Sequence, residues 1–177
     1  MKLYINEIPD TQEKRVILAG DHTPWSRLYA ATLKDRTYQH GPKVISGDPI
    51  TLGHGYSTLA WIPEESGSWA LPLRHERITS FDSPLTLGAF QLSKVSSELK
   101  VRPLSLWDSE YGCAPFLKLT ADIKADKIMR LRPNRCLWGI PYSSRSYGLR
   151  IKKGDQENME LNFNLMILVL GRSLWGH

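Results

Sequence analysis

Ser83-Pro84 opens a helix signal that constrains the whole chain, because short apolar runs suited to strands lie on both sides of it. Ser83 suits the N-cap and Pro84 the first helical position, where a missing N–H costs nothing. Leu85, Ala89, Leu92, Val95 and Leu99 then recur at three- and four-residue steps, and Arg102-Pro103 stops the helix. Upstream, Arg15–Gly20 is a β-branched apolar run closed by glycine and reads as a short buried strand. Tyr56–Ile62 and Ser68–Leu73 flank the turn Pro63–Gly67 and predict a hairpin. Downstream come a strand at Leu104–Trp107, a short helix at Ala114–Leu119 and a strand at Lys127–Leu131. Residues 1–14 are polar and loop-like, and residues 22–54 read as a long irregular connection. This order predicts an α/β fold whose mixed sheet has antiparallel strands first and parallel strands after. No internal repeat is found.

Length and composition fit one globular domain. The chain has 177 residues, 41% hydrophobic and 23% charged, which excludes disordered, collagen-like and fibrous classes. The longest apolar run, Leu165–Leu170, is far short of a membrane span. The first twenty residues lack the pattern of a signal peptide. Cys113 and Cys136 form no CxxC, so neither a disulfide framework nor a Cys-rich zinc site is supported, and a reduced, cytoplasmic compartment is expected.

Charge is unevenly distributed. The segment 127–153 holds Lys127, Arg130, Arg132, Arg135, Arg145, Arg150, Lys152 and Lys153 and no acidic residue, so the whole excess of the +5 chain sits there. Trp138, Tyr142 and Tyr147 are interleaved with it. Basic groups among aromatics suit a phosphate backbone and exposed bases, which predicts DNA contact through Arg130, Arg132, Arg135, Arg145, Arg150, Lys152 and Lys153. An ordinary solvated strand and loop is the plainer reading of the same segment.

Two aspartates follow predicted strands. Asp21 ends Arg15–Gly20 and precedes His22-Thr23, and Asp108 ends Leu104–Trp107 and precedes Ser109-Glu110-Tyr111-Gly112. Ligand sites of α/β sheets gather at such strand ends. Neighbouring carboxylates repel unless a cation lies between them, and hard oxygen donors suit Mg²⁺ or Mn²⁺. Turn-capping aspartates would leave the same trace in a sequence.

Longer runs decide between these readings. Ala19-Gly20-Asp21-His22-Thr23-Pro24-Trp25 resembles the first-aspartate motif of insertion-sequence transposases of the DDE superfamily. The similarity continues through Gly55–Pro63, Ser68–Arg77, Leu106–Gly112 and Met129–Arg135, almost without a break from Val16 to Gly139. The resemblance implies an RNase H-like core over 15–139, with Asp21 and Asp108 as catalytic, metal-binding carboxylates. It also implies Mg²⁺-dependent cleavage and strand transfer at the ends of a mobile element. The attacking group would be water, then a DNA 3′-hydroxyl.

The chain departs from that family at both ends. Members carry a helical region before the first strand, and they carry a third carboxylate, usually Glu, on a later helix. From Ile140 the resemblance fails. Read in a neighbouring frame, Lys153–Glu160 can encode the Gly-Arg-Pro-Arg-Lys-His-Gly stretch that relatives have next. Leu161–Phe163, Leu165–Leu168 and Val169–Gly171 permit the Lys-Phe, Asn-Asp-Pro and Thr-Trp that follow. The expectation is a frameshifted copy: a polar segment 1–14, an incomplete RNase H-like core 15–139 and an irregular, out-of-frame tail 140–177. Such a copy would bind Mg²⁺ or Mn²⁺ weakly and be catalytically inactive. Its expected partners are DNA at the element's ends, a second copy or an intact transposase, and no membrane. The alternative is a non-catalytic DNA-binding or interaction protein using 127–153.

Other residues read more plainly. Glu157 and Glu160 lie in a possible helix, but a shifted tail has no reason to hold a metal ligand. Glu110 is expected to hydrogen-bond or form an ion pair in its turn, and His22 to be a hydrogen-bonded turn residue. His75, beside Arg74 and Arg77, reads equally as a DNA contact or a solvated strand end. His40 and His54 lie in a loop without metal-ligand spacing. Cys113 and Cys136 are expected to be inert thiols, and Trp61, Trp69 and Trp107 to be core or sheet-face aromatics.

Overall fold

A computed structural model describes residues 4–8, 15–40, 50–64 and 69–132, and the backbone of 166–170. A 3₁₀ turn at Ile5–Glu7 precedes β1 (Ile17–Ser26), β2 (Thr37–His40), β3 (Ile50–Ile62) and β4 (Leu71–Ile78). Then come α1 (Pro84–Glu98), β5 (Leu104–Trp107), α2 (Ala114–Leu119), β6 (Asp126–Leu131) and β7 (Met166–Leu170). The strands form one sheet in the order β2-β3-β1-β5-β6-β7, with β4 also on β3. β3 is antiparallel to β1, β2 and β4, whereas β5 runs parallel to β1 and β6 parallel to β5. The mixed α/β sheet, antiparallel strands first, is therefore as the sequence predicted. β7 lies antiparallel to β6, with Leu131 opposite Met166. It adds a strand within the tail read as irregular; the rest of that tail and the 139/140 boundary lie outside the described residues.

Period-two alternation sends Val16, Leu18 and Gly20 of the β1 segment, Ser57 and Leu59 of β3, Trp107 of β5 and Met129 of β6 to one buried face. Leu92 and Val95 of α1 and Phe116 of α2 pack there, so both described α-helices cover the same side of the sheet. α1 begins with the capping box formed by Ser83 and Thr86, each side chain bonding the other's backbone N–H, at 3.1 and 2.9 Å. Gln91 ties α1 to the sheet. It accepts from the Ser57 hydroxyl at 2.8 Å and donates to the Ser57 carbonyl at 3.1 Å, which satisfies a buried amide.

Four readings need correction. β1 does not stop at Gly20, because β3 continues to pair with it as far as Ser26 opposite Gly53. The connection 22–54 is not all irregular, since it holds the end of β1, all of β2 and the start of β3. β4 begins later than Ser68 and runs through Arg74-His75-Glu76-Arg77, and Trp69 lies before it, 73% exposed. Lys127 belongs to no surface patch: it points to the buried side of β6 and is only 6% exposed.

Candidate active site at the parallel strand ends

β1 and β5 pair in parallel from Ile17 opposite Leu104 to Gly20 opposite Trp107. Asp21 and Asp108 are the next residues on their two strands, so the fold brings the two predicted carboxylates to one corner of the sheet. Both are exposed. Glycine is required at position 20, where a Cβ would stand 2.1 Å from the Trp107 ring. The indole lies against the strand there and packs with Tyr111 and Phe116 at centroid distances of 4.7 Å each. This buried aromatic cluster supports the turn that follows Asp108.

That turn is built by the carboxylate itself: Asp108 Oδ1 accepts from the Glu110 N–H at 2.9 Å. Asp21 Oδ1 accepts from the His22 N–H at 2.7 Å. The two segments are then joined, as His22 Nδ1 lies 2.9 Å from Glu110 Oε2. The hydrogen bond to Glu110 raises the His22 pKa, with Glu110, Asp21 and Asp108 adding negative potential against the effect of burial. The His22 contact lowers the Glu110 pKa in turn, helped by Arg132 and His40. Burial pushes the Tyr111 hydroxyl up, and the charges of Glu110, Asp21 and Asp108 push the same way while Ser57 opposes them. Three carboxylates, Asp21, Asp108 and Glu110, thus gather at this corner around His22, with Arg132 close to Glu110. An open cleft of about 620 Å³ adjoins it, lined among others by His22, Glu110, His40, Asp82 and Arg132.

Hard, exposed oxygen donors on neighbouring strand ends fit a divalent cation such as Mg²⁺ in chemistry. Among the described residues no group of three or more His, Cys, Asp or Glu is placed to hold a metal ion. The remaining predicted residues divide. Arg130 and Arg132 are exposed at the end of β6. Arg135, Arg145, Arg150, Lys152, Lys153, Glu157 and Glu160 lie outside the described residues, as do Cys136, Trp138, Tyr142 and Tyr147.

The chain matches the family described as DDE superfamily endonuclease over residues 5–158. It belongs to that family. The match spans both aspartate segments and runs past Gly139. Among solved structures, a cryo-EM structure of a piggyBac transposase synaptic complex with hairpin DNA is similar at 16% identity, with a TM-score of 0.40. The similarity covers 67% of this chain, which spans 23% of that one. No curated protein matches.

Further outcomes concern residues beyond the aspartates. Glu110 has a hydrogen-bond partner, but not within its own turn: it is His22, which lies in strand β1 and not in a turn, 2.9 Å away. His54 is not in a loop: it lies buried in β3, its Nε2 3.0 Å from the Lys34 carbonyl oxygen. His40 closes β2. Trp107 is core, as expected, and Trp61 packs partly buried against that core. Sequence reasoning missed the His22–Glu110 link, because its partners are 88 residues apart in sequence and only the parallel β1–β5 pairing joins them. It also missed the ring row of Trp25, His54, Tyr56 and His75. His54 and Tyr56 at alternate positions were its one local trace.

Proposed function

We propose that this DDE superfamily chain derives from a transposase of an insertion sequence, and that Asp21 and Asp108 are two carboxylates of its cleavage and strand-transfer centre. The observation that supports this is their position one step beyond the paired Gly20 and Trp107 on parallel strands. Asp21 and Asp108 would hold Mg²⁺ or Mn²⁺. When bound, such ions activate a water or 3′-hydroxyl and stabilise the leaving oxygen of a phosphodiester. The chain's own contribution is positioning. Gly20 lets Trp107 seat against β1, the Asp108 turn fixes its carboxylate, and the His22–Glu110 contact links the two segments. Arg130 and Arg132 are the described cations of the basic segment proposed to meet DNA at the element's ends. The same reading puts the protein in the cytoplasm, with a second copy or an intact transposase as partner.

The neighbouring-frame reading of Lys153–Gly171 is what supports a further step in this proposal, that this copy is inactive. DNA cleavage with Mg²⁺ or Mn²⁺ tests both, comparing the chain with Asp21→Ala and Asp108→Ala. Metal-dependent cleavage lost in both variants establishes the centre and overturns the inactive reading. No cleavage by the folded chain, with Mn²⁺ binding that either substitution weakens, supports an inactive copy with a residual site. Cleavage untouched by the substitutions overturns the assignment of the aspartates. Salt-dependent DNA binding without any metal affinity would favour a non-catalytic DNA-binding protein acting through the basic segment.

A further inference from the structure

Four rings run away from Asp21 on the same face of the sheet. Asp21 is paired with Thr58, Thr23 with Tyr56 and Trp25 with His54, while β4 sets His75 opposite Thr58 and Arg77 opposite Tyr56. Strand alternation therefore places Asp21, Trp25, His54, Tyr56 and His75 together on the side opposite α1 and α2. Tyr56 and His75 are stacked, 5.2 Å apart and parallel to within 2°. Trp25 lies 6.1 Å from Tyr56 and 6.5 Å from His54, and His54 lies 6.4 Å from Tyr56. His75 is exposed and held in orientation by Thr58 Oγ1, 2.8 Å from its Nδ1. Trp25 is 40% exposed, with the Arg27 guanidinium 3.6 Å above its ring.

Cations flank the row. Among the described residues Arg27 has no carboxylate partner. Arg77 pairs with Asp35 at 2.9 Å and reaches the buried His54 at 3.2 Å, which backs the row from the β4 side. Rings that served only as core would be turned inward. Here the outermost two, Trp25 and His75, face water at the two sides of Tyr56, and the row leads from the carboxylate corner.

We propose that this row is a stacking platform for the unpaired bases of single-stranded DNA, with Arg27 drawing the phosphates. The inference rests on the functional reading above and names the form of DNA that face receives. Aromatic faces bind bases of any sequence by stacking, but only where the bases are not already stacked in a duplex, and a guanidinium beside them adds charge attraction. A strand leaving the platform along β1 meets Asp21.

The test is fluorescence anisotropy of the full chain with labelled oligothymidine and with a blunt duplex of equal length. Both are measured at one salt concentration in EDTA, so that metal chemistry does not enter. The variants are Trp25→Ala, His75→Ala, Tyr56→Leu and Tyr56→Phe, each checked by thermal melting; the first two sit at exposed positions. Wild type is expected to bind the single strand. Trp25→Ala, His75→Ala and Tyr56→Leu should each weaken it by roughly tenfold, leave duplex affinity unchanged, and Tyr56→Phe should retain wild-type affinity. Duplex binding without single-strand binding overturns this inference alone. Equal weakening on both DNAs, or single-strand affinity untouched by the substitutions, also overturns it. A folded chain that binds neither DNA overturns the functional reading as well.

Discussion

Lys127 shows how one residue can contradict the charge pattern it belongs to. In the sequence it heads the basic segment, yet β6 turns it inward. Burial holds its ammonium below the usual pKa, and Arg102 pushes it further down against a smaller pull from Asp122. The unfolded chain then holds that proton more tightly than the folded one. Stability should therefore rise as pH climbs from the folded Lys127 pKa towards the ordinary 10.5, and fall again as pH drops through the folded value. Lys127→Met should raise the urea midpoint at pH 7 and flatten the rise between neutral pH and pH 10. An unchanged rise would assign the pH dependence to another group. Asp21 and Asp108 are the opposite case, since their residue types, their strand-end positions and their motifs all agreed. The parallel register then supplied what no local pattern contains, namely that they share a corner.

At the scale of elements, α1 is the best-specified piece of the chain. Ser83→Ala removes one arm of its capping box and should cost about 1 kcal/mol, seen as a fall of a few degrees in the melting temperature. A melting temperature equal to wild type would mean that the Thr86 side chain caps the helix alone. The same local chemistry made this helix legible, and β5 and α2 as well, because their apolar positions and prolines act within a few residues. β1 was read too short for a physical reason. Pro24 and the polar residues after Gly20 look like a turn. The Arg27 N–H donates to the Leu52 carbonyl, which sets the alternation along β1, so Pro24 directs its missing donor away from β3. β5 has already ended its pairing there, and proline costs no ladder bond. β4 was misplaced because its alternating charges look like a loop. On a strand paired to β3 they also discourage pairing with a second molecule.

For the whole molecule, the uneven charge is the property most open to measurement. The formal excess of +5 lies in 127–153, and its described, exposed members are Arg130 and Arg132. If both meet phosphates, Arg130→Gln with Arg132→Gln should reduce the log–log salt slope of duplex binding by roughly 0.9 for each phosphate no longer neutralised. A slope that does not change would remove both from the DNA surface. Neither the sheet order nor the one-sided placement of α1 and α2 has a short-range signal. The antiparallel-then-parallel order follows from the sequence of elements, whereas the face each strand presents is set by partners far along the chain.

The distance between His22 and Glu110 along the chain, 88 residues, also bears on when the molecule becomes competent. Hairpins such as β3–β4 close short loops and form early, whereas the parallel pairing of β1 with β5 must wait for a large loop to close. During synthesis β1 emerges first and its partner β5 only after four further elements. The acidic corner is consequently among the last features to exist. A nascent chain in which β1 and β5 have not yet paired carries its two aspartates apart, whatever the rest of the sheet has already formed.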